Sequence, residues 1–369
     1  MTQLASRTIS YVTAARMPTE KAHGVSIAHM CAAFAAKGLH VKLVTPTRRN
    51  EIAEDIFSYY GVPRTFSVQT LAVPDFVGRG FTHPFFFFLQ RLLFVRAAKR
   101  AGIAPGIVYT REPEVVVAFV KTHTVVYEAH RWPRGIANWL TACLVRRTAL
   151  IVANSRGTES AAHECNLVRT VVAPNGFDPA LFEGVAPSRA ELGLPEGILA
   201  LYVGSDAPWK GIEIVRDTAR ELTVAEDVSV AIVGNSSPPR HEGVLTEVGR
   251  IALHRVPSYL RNADILLLPN TAANEESERF TSPIKLFEYL AAGKAVIASD
   301  LPSIREILGR EDALFVPPGD ARALAGSIKK LAHDSQLRTR LAERSLALSA
   351  QYTWGERAGR IIRALDIKL

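Results

Sequence analysis

Residues 280–294 read Phe-Thr-Ser-Pro-Ile-Lys-Leu-Phe-Glu-Tyr-Leu-Ala-Ala-Gly-Lys, a run in which a helix start could do chemistry. Ser282 suits the N-cap and Pro283 the first helical position, where a missing N–H costs nothing. The N–H groups of Ile284 and Lys285 then point out of a helix N-terminus, and with the helix dipole they make an anion site. Glu288 follows Ile284 by i, i+4 spacing and shares its face. A carboxylate there can accept two hydroxyls of a ribose whose diphosphate lies at the helix end. An ordinary capped helix with a solvated glutamate would show the same residues.

A second run supplies the complementary charge. An apolar strand, residues 199–203, leads into Gly204-Ser205-Asp206-Ala207-Pro208-Trp209-Lys210-Gly211. A lysine at the mouth of a post-strand loop, next to a glycine, suits a phosphate contact. A solvated loop lysine is the plainer reading of the same residue.

Both runs sit in a chain that alternates strand, loop and helix almost to its end. Residues 7–13 are an apolar, β-branched run, 26–36 an apolar helical stretch closed by Gly38, and 40–45 the next strand. Further strands are expected at 66–71, 107–110, 124–127, 150–153 and 170–173, with helices over 84–100, 135–147 and 155–165. Turn chemistry at Pro174-Asn175-Gly176-Phe177-Asp178-Pro179 opens a break, placing a domain boundary near 174–186. Alternation then resumes with strands at 199–203, 228–233, 265–268, 295–298 and 313–316. Helices are expected from 211, over 284–292, 321–332 and 337–349. This is an α/β pattern of two parallel sheets covered on both faces, in which ligands bind on loops that follow strands. The loop at 254–259, before the 265–268 strand, is the expected reader of a nucleotide base.

Composition removes several classes. With 369 residues, 48% of them hydrophobic and 22% charged, the chain is long and apolar enough for two cores and is not a disordered chain. The three cysteines, Cys31, Cys143 and Cys165, are scattered without metal-ligand spacing and fit a reducing compartment; Cys31 and Cys143 are expected to pack in apolar helices. No Asp-x-Asp pair occurs, so no metal site is expected. Neither a signal peptide nor a stretch of ~20 apolar residues is legible, which predicts a cytoplasmic protein. A net charge of +8 favours anionic partners, but the basic residues are dispersed and no nucleic-acid motif accompanies them. In residues 84–100, Phe85-Phe86-Phe87-Phe88 precede Arg91, Arg96, Lys99 and Arg100. They are either a core end with snorkelling bases or an interfacial anchor on an anionic membrane surface.

Taken in order, several stretches resemble the family 4 retaining glycosyltransferases of GT-B architecture. They are His23-Gly24-Val25, Tyr127-Glu128-Ala129-His130, Asn175-Gly176-Phe177-Asp178, Gly204 through Lys210-Gly211, and Ser282-Pro283-Ile284-Lys285-Leu286-Phe287-Glu288-Tyr289 through Ala298-Ser299-Asp300. The resemblance covers nearly the whole chain, and its most specific block is 282–300. It implies two Rossmann-like domains with sheets facing across a cleft: an acceptor domain over 1–176 and a nucleotide-sugar domain over 177–352. A C-terminal helix over 353–369 would cross back to the first domain.

The same resemblance implies a UDP- or GDP-sugar donor and a glycan or lipid-linked acceptor. The reaction is hexosyl or aminohexosyl transfer with retention in cell-surface polysaccharide biosynthesis, with no cofactor and no metal. Lys210 corresponds to the lysine on the diphosphate, Glu288 to the ribose-binding glutamate and His130 to the histidine near the transferred sugar. For His130 a structural role at a strand end is the alternative. Gly24 corresponds to a glycine loop that lets backbone approach donor or acceptor. The implied catalytic pair is His130 and Lys210, and the donor set Gly24, Ser205, Lys210, Ile284, Lys285 and Glu288. Two positions depart from the pattern. The family's first glutamate, eight residues before Glu288, is Phe280 here, with Glu276 and Glu278 nearby, and the arginine of the strand-end loop is Ser205. A nucleotide-sugar epimerase of the same architecture, or a non-catalytic nucleotide-sugar-binding partner protein, would share these features.

Overall fold

The computed structural model describes residues 7–133, 135–223 and 227–367. It divides into two units, Met1–Pro174 with Trp354–Leu369, and Asn175–Thr353. The division at 174/175 falls inside the turn chemistry that begins at Pro174.

The first unit is built on seven parallel strands: β1 (Thr8–Val12), β2 (His40–Thr47), β3 (Ser67–Ala72), β4 (Ile107–Thr110), β5 (Thr124–Ala129), β6 (Leu150–Ala153) and β7 (Thr170–Val172). Their spatial order is β3-β2-β1-β4-β5-β6-β7. Ile9 of β1 is in register with Val41 on one side and Ile107 on the other. Every residue of β4 and β6 is buried, which is why these strands read as unbroken apolar runs. Chain order reverses between β1 and β4, and in such sheets the carboxyl edge at that reversal is where ligands bind.

The second unit repeats the plan with β8 (Ile198–Val203), β9 (Val228–Val233), β10 (Arg240–Glu242), β11 (Leu245–Gly249), β12 (Ile265–Leu268), β13 (Ala295–Ser299) and β14 (Leu314–Val316). The order is β10-β11-β9-β8-β12-β13-β14, so its reversal lies between β8 and β12. All pairs are parallel except β10 with β11, an antiparallel edge hairpin that the sequence reading did not anticipate. Its inner position is Glu247, a buried carboxylate bonded by Arg216 Nε at 2.9 Å, Arg240 Nη2 at 2.8 Å and Asn235 Nδ2 at 2.6 Å. Those donors outweigh the upward push of burial and hold its pKa at about 2.

One of two alternatives for the phenylalanine run is set aside, and one expectation for a cysteine is corrected. Phe85, Phe87 and Phe88 are not core: each is roughly half exposed on the Pro84–Ala101 helix, whose buried positions are Gln90, Phe94 and Ala98. Phe86 alone turns inward, against Phe81 at 4.8 Å and Phe76 at 5.6 Å. Cys31 is buried as expected, but Cys143 is exposed. Among the described residues no helix is long and apolar enough to cross a membrane.

The last helix, Trp354–Ala364, groups with the first unit, where it packs on the Ala22–Ala36 helix. Trp354 stacks on His29 at 5.8 Å. Arg357, 2% exposed, donates from Nε to the Ala173 carbonyl at 3.0 Å and from Nη2 to Glu128 Oε1 at 2.7 Å. Removing Arg357 leaves Glu128 with one guanidinium, Arg111, in place of two, a loss of up to about 3 kcal/mol. Arg357→Met should therefore lower the melting temperature of the first unit by on the order of 10 °C. Calorimetry checks this, and an unchanged transition would show that the helix contributes packing alone.

Candidate functional site

In the second unit the reversal between β8 and β12 is crowded by design. Gly204 extends the β8 ladder, its N–H donating to the Val233 carbonyl at 2.9 Å. The chain then makes a single turn, Pro208–Lys210, and enters the Ile212–Arg220 helix through Gly211. Gly211 has φ +78°, and a Cβ there would stand 1.8 Å from the Pro269 carbonyl oxygen beyond β12. Only glycine fits, for conformation and for space alike. The turn fixes Lys210, whose Nζ donates to Ser205 Oγ at 2.8 Å.

The Ile284–Ala291 helix is aimed at the same edge by Tyr289. Its buried hydroxyl accepts the Val203 N–H at 2.9 Å and donates to the Leu267 carbonyl at 3.2 Å, tying the helix to the last turns of β8 and β12. The start of this helix differs from expectation. Pro283, not Ser282, is the flanking residue, and no side chain caps it. The Ser282 hydroxyl instead accepts the Asn175 N–H at 2.9 Å, and its carbonyl accepts Asn175 Nδ2 at 2.6 Å. The N–H groups of Ile284 and Lys285 thus lack both an intrahelical and a side-chain acceptor, the condition for anion binding.

Lys285 is the most unusual residue of the unit. Its Nζ is buried without a hydrogen-bond partner, 4.6 Å from the centroid of the Tyr202 ring. Burial and then the charge of Lys210 hold the ammonium well below the ordinary lysine range. Burial lowers the Lys210 ammonium as well. No carboxylate among the described residues pairs with either. One turn on, burial raises the Glu288 carboxyl to about 7. Ser205, Lys210, Ile284, Lys285 and Glu288 are therefore carried by one sheet edge and the helix aimed at it. Phe280, at the position where a glutamate was looked for, is 6% exposed and buried in the turn Glu276–Phe280.

In the first unit His130 follows β5 and belongs to a compensated cluster. Glu128, 1% exposed, accepts from Tyr11 Oη at 3.1 Å, Arg111 Nη2 at 3.0 Å, Arg357 Nη2 at 2.7 Å and His130 Nε2 at 2.6 Å. Burial pushes this carboxyl up, but Arg111, Arg357 and His130 outweigh it and hold it well below the usual range. His130 is lowered to about 4, by burial first and Arg111 second, against the pull of Glu128. A neutral ring that donates Nε2–H to Glu128 leaves the Nδ1 lone pair to accept. His23 is also lowered to about 4, by burial, with Arg111 and His130 among the charges acting on it. Arg111 further donates to Ser26 Oγ at 2.8 Å, and Glu112 receives Thr13 Oγ1 at 3.0 Å and the Ala14 N–H at 2.9 Å. Gly24 stands in the first turn of the Ala22–Ala36 helix and not in a loop. The space its missing Cβ leaves is taken by the Tyr60 hydroxyl, 2.0 Å from where that atom would be.

Glu128, Arg111 and Arg357 were not singled out from sequence. Glu128 had a signal, as the sole charge in a strand buried from Val125 onward. Arg357 had none, standing 229 residues away.

With the geometry in place, comparison with known proteins is informative. Residues 197–334 match the family model described as Glycosyl transferases group 1. The matched segment holds Ser205, Lys210, Ile284, Lys285 and Glu288; Gly24 and His130 lie outside it. The phosphatidyl-myo-inositol mannosyltransferase of Mycolicibacterium smegmatis is 31% identical over 204 residues, 52% of this chain and 50% of that protein. The chain spans about half the length of the curated relatives it matches. Sucrose-phosphate synthase from Thermosynechococcus elongatus superposes with TM-score 0.76 at 20% identity, over 98% of this chain and 99% of that one. HepE of Anabaena in complex with UDP superposes with TM-score 0.72 at 17% identity, over 97% and 99%. These likenesses are of fold: two Rossmann-like α/β units of GT-B type.

An unpaired buried donor costs about 1 kcal/mol or more. Lys285→Met should therefore raise the melting temperature of the ligand-free protein by roughly 3 °C, and pyrophosphate is expected to raise the melting temperature of the parent but not of the variant. A lower melting temperature with the pyrophosphate shift intact would mean that Lys285 is a structural residue.

Proposed function

We propose that the protein is a retaining glycosyltransferase that moves a hexose or aminohexose from a UDP- or GDP-sugar to a hydroxyl of a glycan or lipid-linked acceptor, in cell-surface polysaccharide biosynthesis. The observation that carries this reading is the unpaired Lys285 ammonium beside Lys210 at an uncapped helix start, inside the segment that matches the group 1 family. Two cations without a carboxylate call for a polyanion, and two backbone N–H groups at the helix start suit its oxygens. A diphosphate fits that demand. Glu288, one turn along the helix, stands where a ribose attached to the diphosphate would follow, and as a carboxylate it accepts the two ribose hydroxyls. A lipid-linked acceptor draws support from the relative named for mannosyl transfer to phosphatidyl-myo-inositol.

On this reading Lys210 and Lys285 stabilise the charge that grows on the departing diphosphate, in a site dry enough to strengthen each contact. Catalysis comes from positioning and charge stabilisation, and the two ammonium groups stand in for a divalent metal. His130, held neutral with Nδ1 available, is assigned to a hydroxyl of the transferred sugar. Phe280 favours a second reading, a nucleotide-sugar-binding protein without turnover, because it places a buried ring where the resemblance expects a carboxylate.

A thermal-shift panel of UDP- and GDP-sugars should single out the cognate donor, since a ligand bound only by the native state stabilises it. With that donor and a hydroxyl acceptor, proton NMR of the product should show a retained anomeric configuration, unaffected by EDTA. Lys210→Ala should lower kcat by about 10²–10³ while leaving the fold intact. Donor binding without transfer to any acceptor would establish the second reading.

A further inference from the structure

Three helices of the first unit cover one side of its sheet: Pro84–Ala101, Pro113–Phe119 and Ile136–Val145. Their inward residues, including Phe94, Val115, Phe119 and Val145, join a single core cluster. The outward faces carry an unexpected composition. Among the described residues fourteen large apolar side chains are exposed, and nine of them stand on these three helices. On Pro84–Ala101 one face runs Phe85, Phe88, Leu92 and then Arg96 and Lys99, all exposed, at i, i+3, i+7, i+11 and i+14. On Ile136–Val145 the exposed face holds Ile136 (80% exposed), Trp139 (65%) and Leu140, and Arg146-Arg147 follow directly. Both helices thus begin apolar and end basic.

The charge on this layer has one sign. The three helices hold one carboxylate, Glu114, and Arg91 already pairs with it at 2.6 Å. Arg96, Lys99, Arg100, Arg146 and Arg147 are exposed. Apolar side chains at this density on the surface of a folded unit mark an interaction site. A second copy of the same face would bring like charges together, whereas an anionic bilayer supplies the complement. Tryptophan and phenylalanine suit the boundary between headgroups and acyl chains, and the bases suit the headgroups. Among the described residues no helix is both long and apolar enough to span, so these lie in the plane of the surface.

We propose that this helix layer is the face by which the protein docks on an anionic lipid bilayer, with the Ile136–Val145 helix as much a part of it as the phenylalanine run. The proposal goes beyond the assigned transfer reaction and does not depend on it, because docking is read without any substrate.

The full chain would be sedimented with vesicles of phosphatidylcholine alone and of phosphatidylcholine with phosphatidylglycerol. Binding is expected only to the anionic vesicles, weakening as salt rises. The pair Ile136→Ser and Trp139→Ser should weaken it at least tenfold. So should Arg146→Glu with Arg147→Glu, which touches no core residue, each at an unchanged melting temperature. Absence of parent binding at low salt, or equal binding by both variants, overturns the proposal. So does a parent that self-associates in sedimentation velocity and is made monomeric by the serine pair while ignoring vesicles.

Discussion

The Tyr289 hydroxyl ties the Ile284–Ala291 helix to two strands at the heart of the second unit. A phenol buried among apolar side chains needs both its lone pair and its proton satisfied, and it finds them on two adjacent strands, at Val203 and Leu267. These are the strands between which the chain order reverses. The bond therefore sets where the Ile284–Ala291 helix begins relative to the loop after β8. The bare N–H groups of that helix, Lys285 and Lys210 take their positions from it. Gly211 completes the constraint from the other side, because the close passage of Pro269 forbids any side chain there.

The two candidate sites treat buried charge in opposite ways. In the first, Glu128 gathers four donors, two of them guanidinium groups, and is a compensated ion held by Arg111 after β4 and Arg357 from the last helix. Such a cluster fixes geometry, while burial first and the charge of Arg111 second hold the neighbouring histidines neutral. In the second unit Lys285 is buried with no donor-acceptor partner and with another lysine as its nearest charge. An isolated ammonium costs folding free energy, and strain of this kind persists at functional sites. The uncompensated site is the one that fits an anion.

Parallel strands buried on both faces announced themselves. Every residue of β4, β6 and β12 is apolar or β-branched, or in Tyr109 aromatic, so their apolar runs were legible without partners. The β10–β11 hairpin was not, because its inward position is Glu247, which breaks the alternation that marks a half-buried strand. Ser282 illustrates a different limit. Its residue type predicts a cap, but a hydroxyl can serve any nearby N–H, and Asn175, 107 residues away, took it. Gly24 likewise signalled a close approach without saying to what, and the answer is Tyr60. Lys210, Lys285 and Glu288 were legible because their chemistry lies in short spacing along one loop and one helix. Arg357 reached Glu128 by tertiary packing alone, which no local pattern encodes.

The claim that a diphosphate settles on an uncompensated lysine pair has a direct thermodynamic signature. A nucleoside diphosphate brought against Lys285 should raise its lowered pKa toward the ordinary lysine range, so binding draws a proton from solvent at any pH where the free side chain is neutral. Calorimetric titration of UDP and GDP between about pH 7 and pH 9, in two buffers of different ionisation enthalpy, measures that proton. The predicted result is net uptake on binding of the preferred nucleotide, lost in Lys285→Met. Tight binding with no proton exchanged, the same in parent and variant, would contradict it.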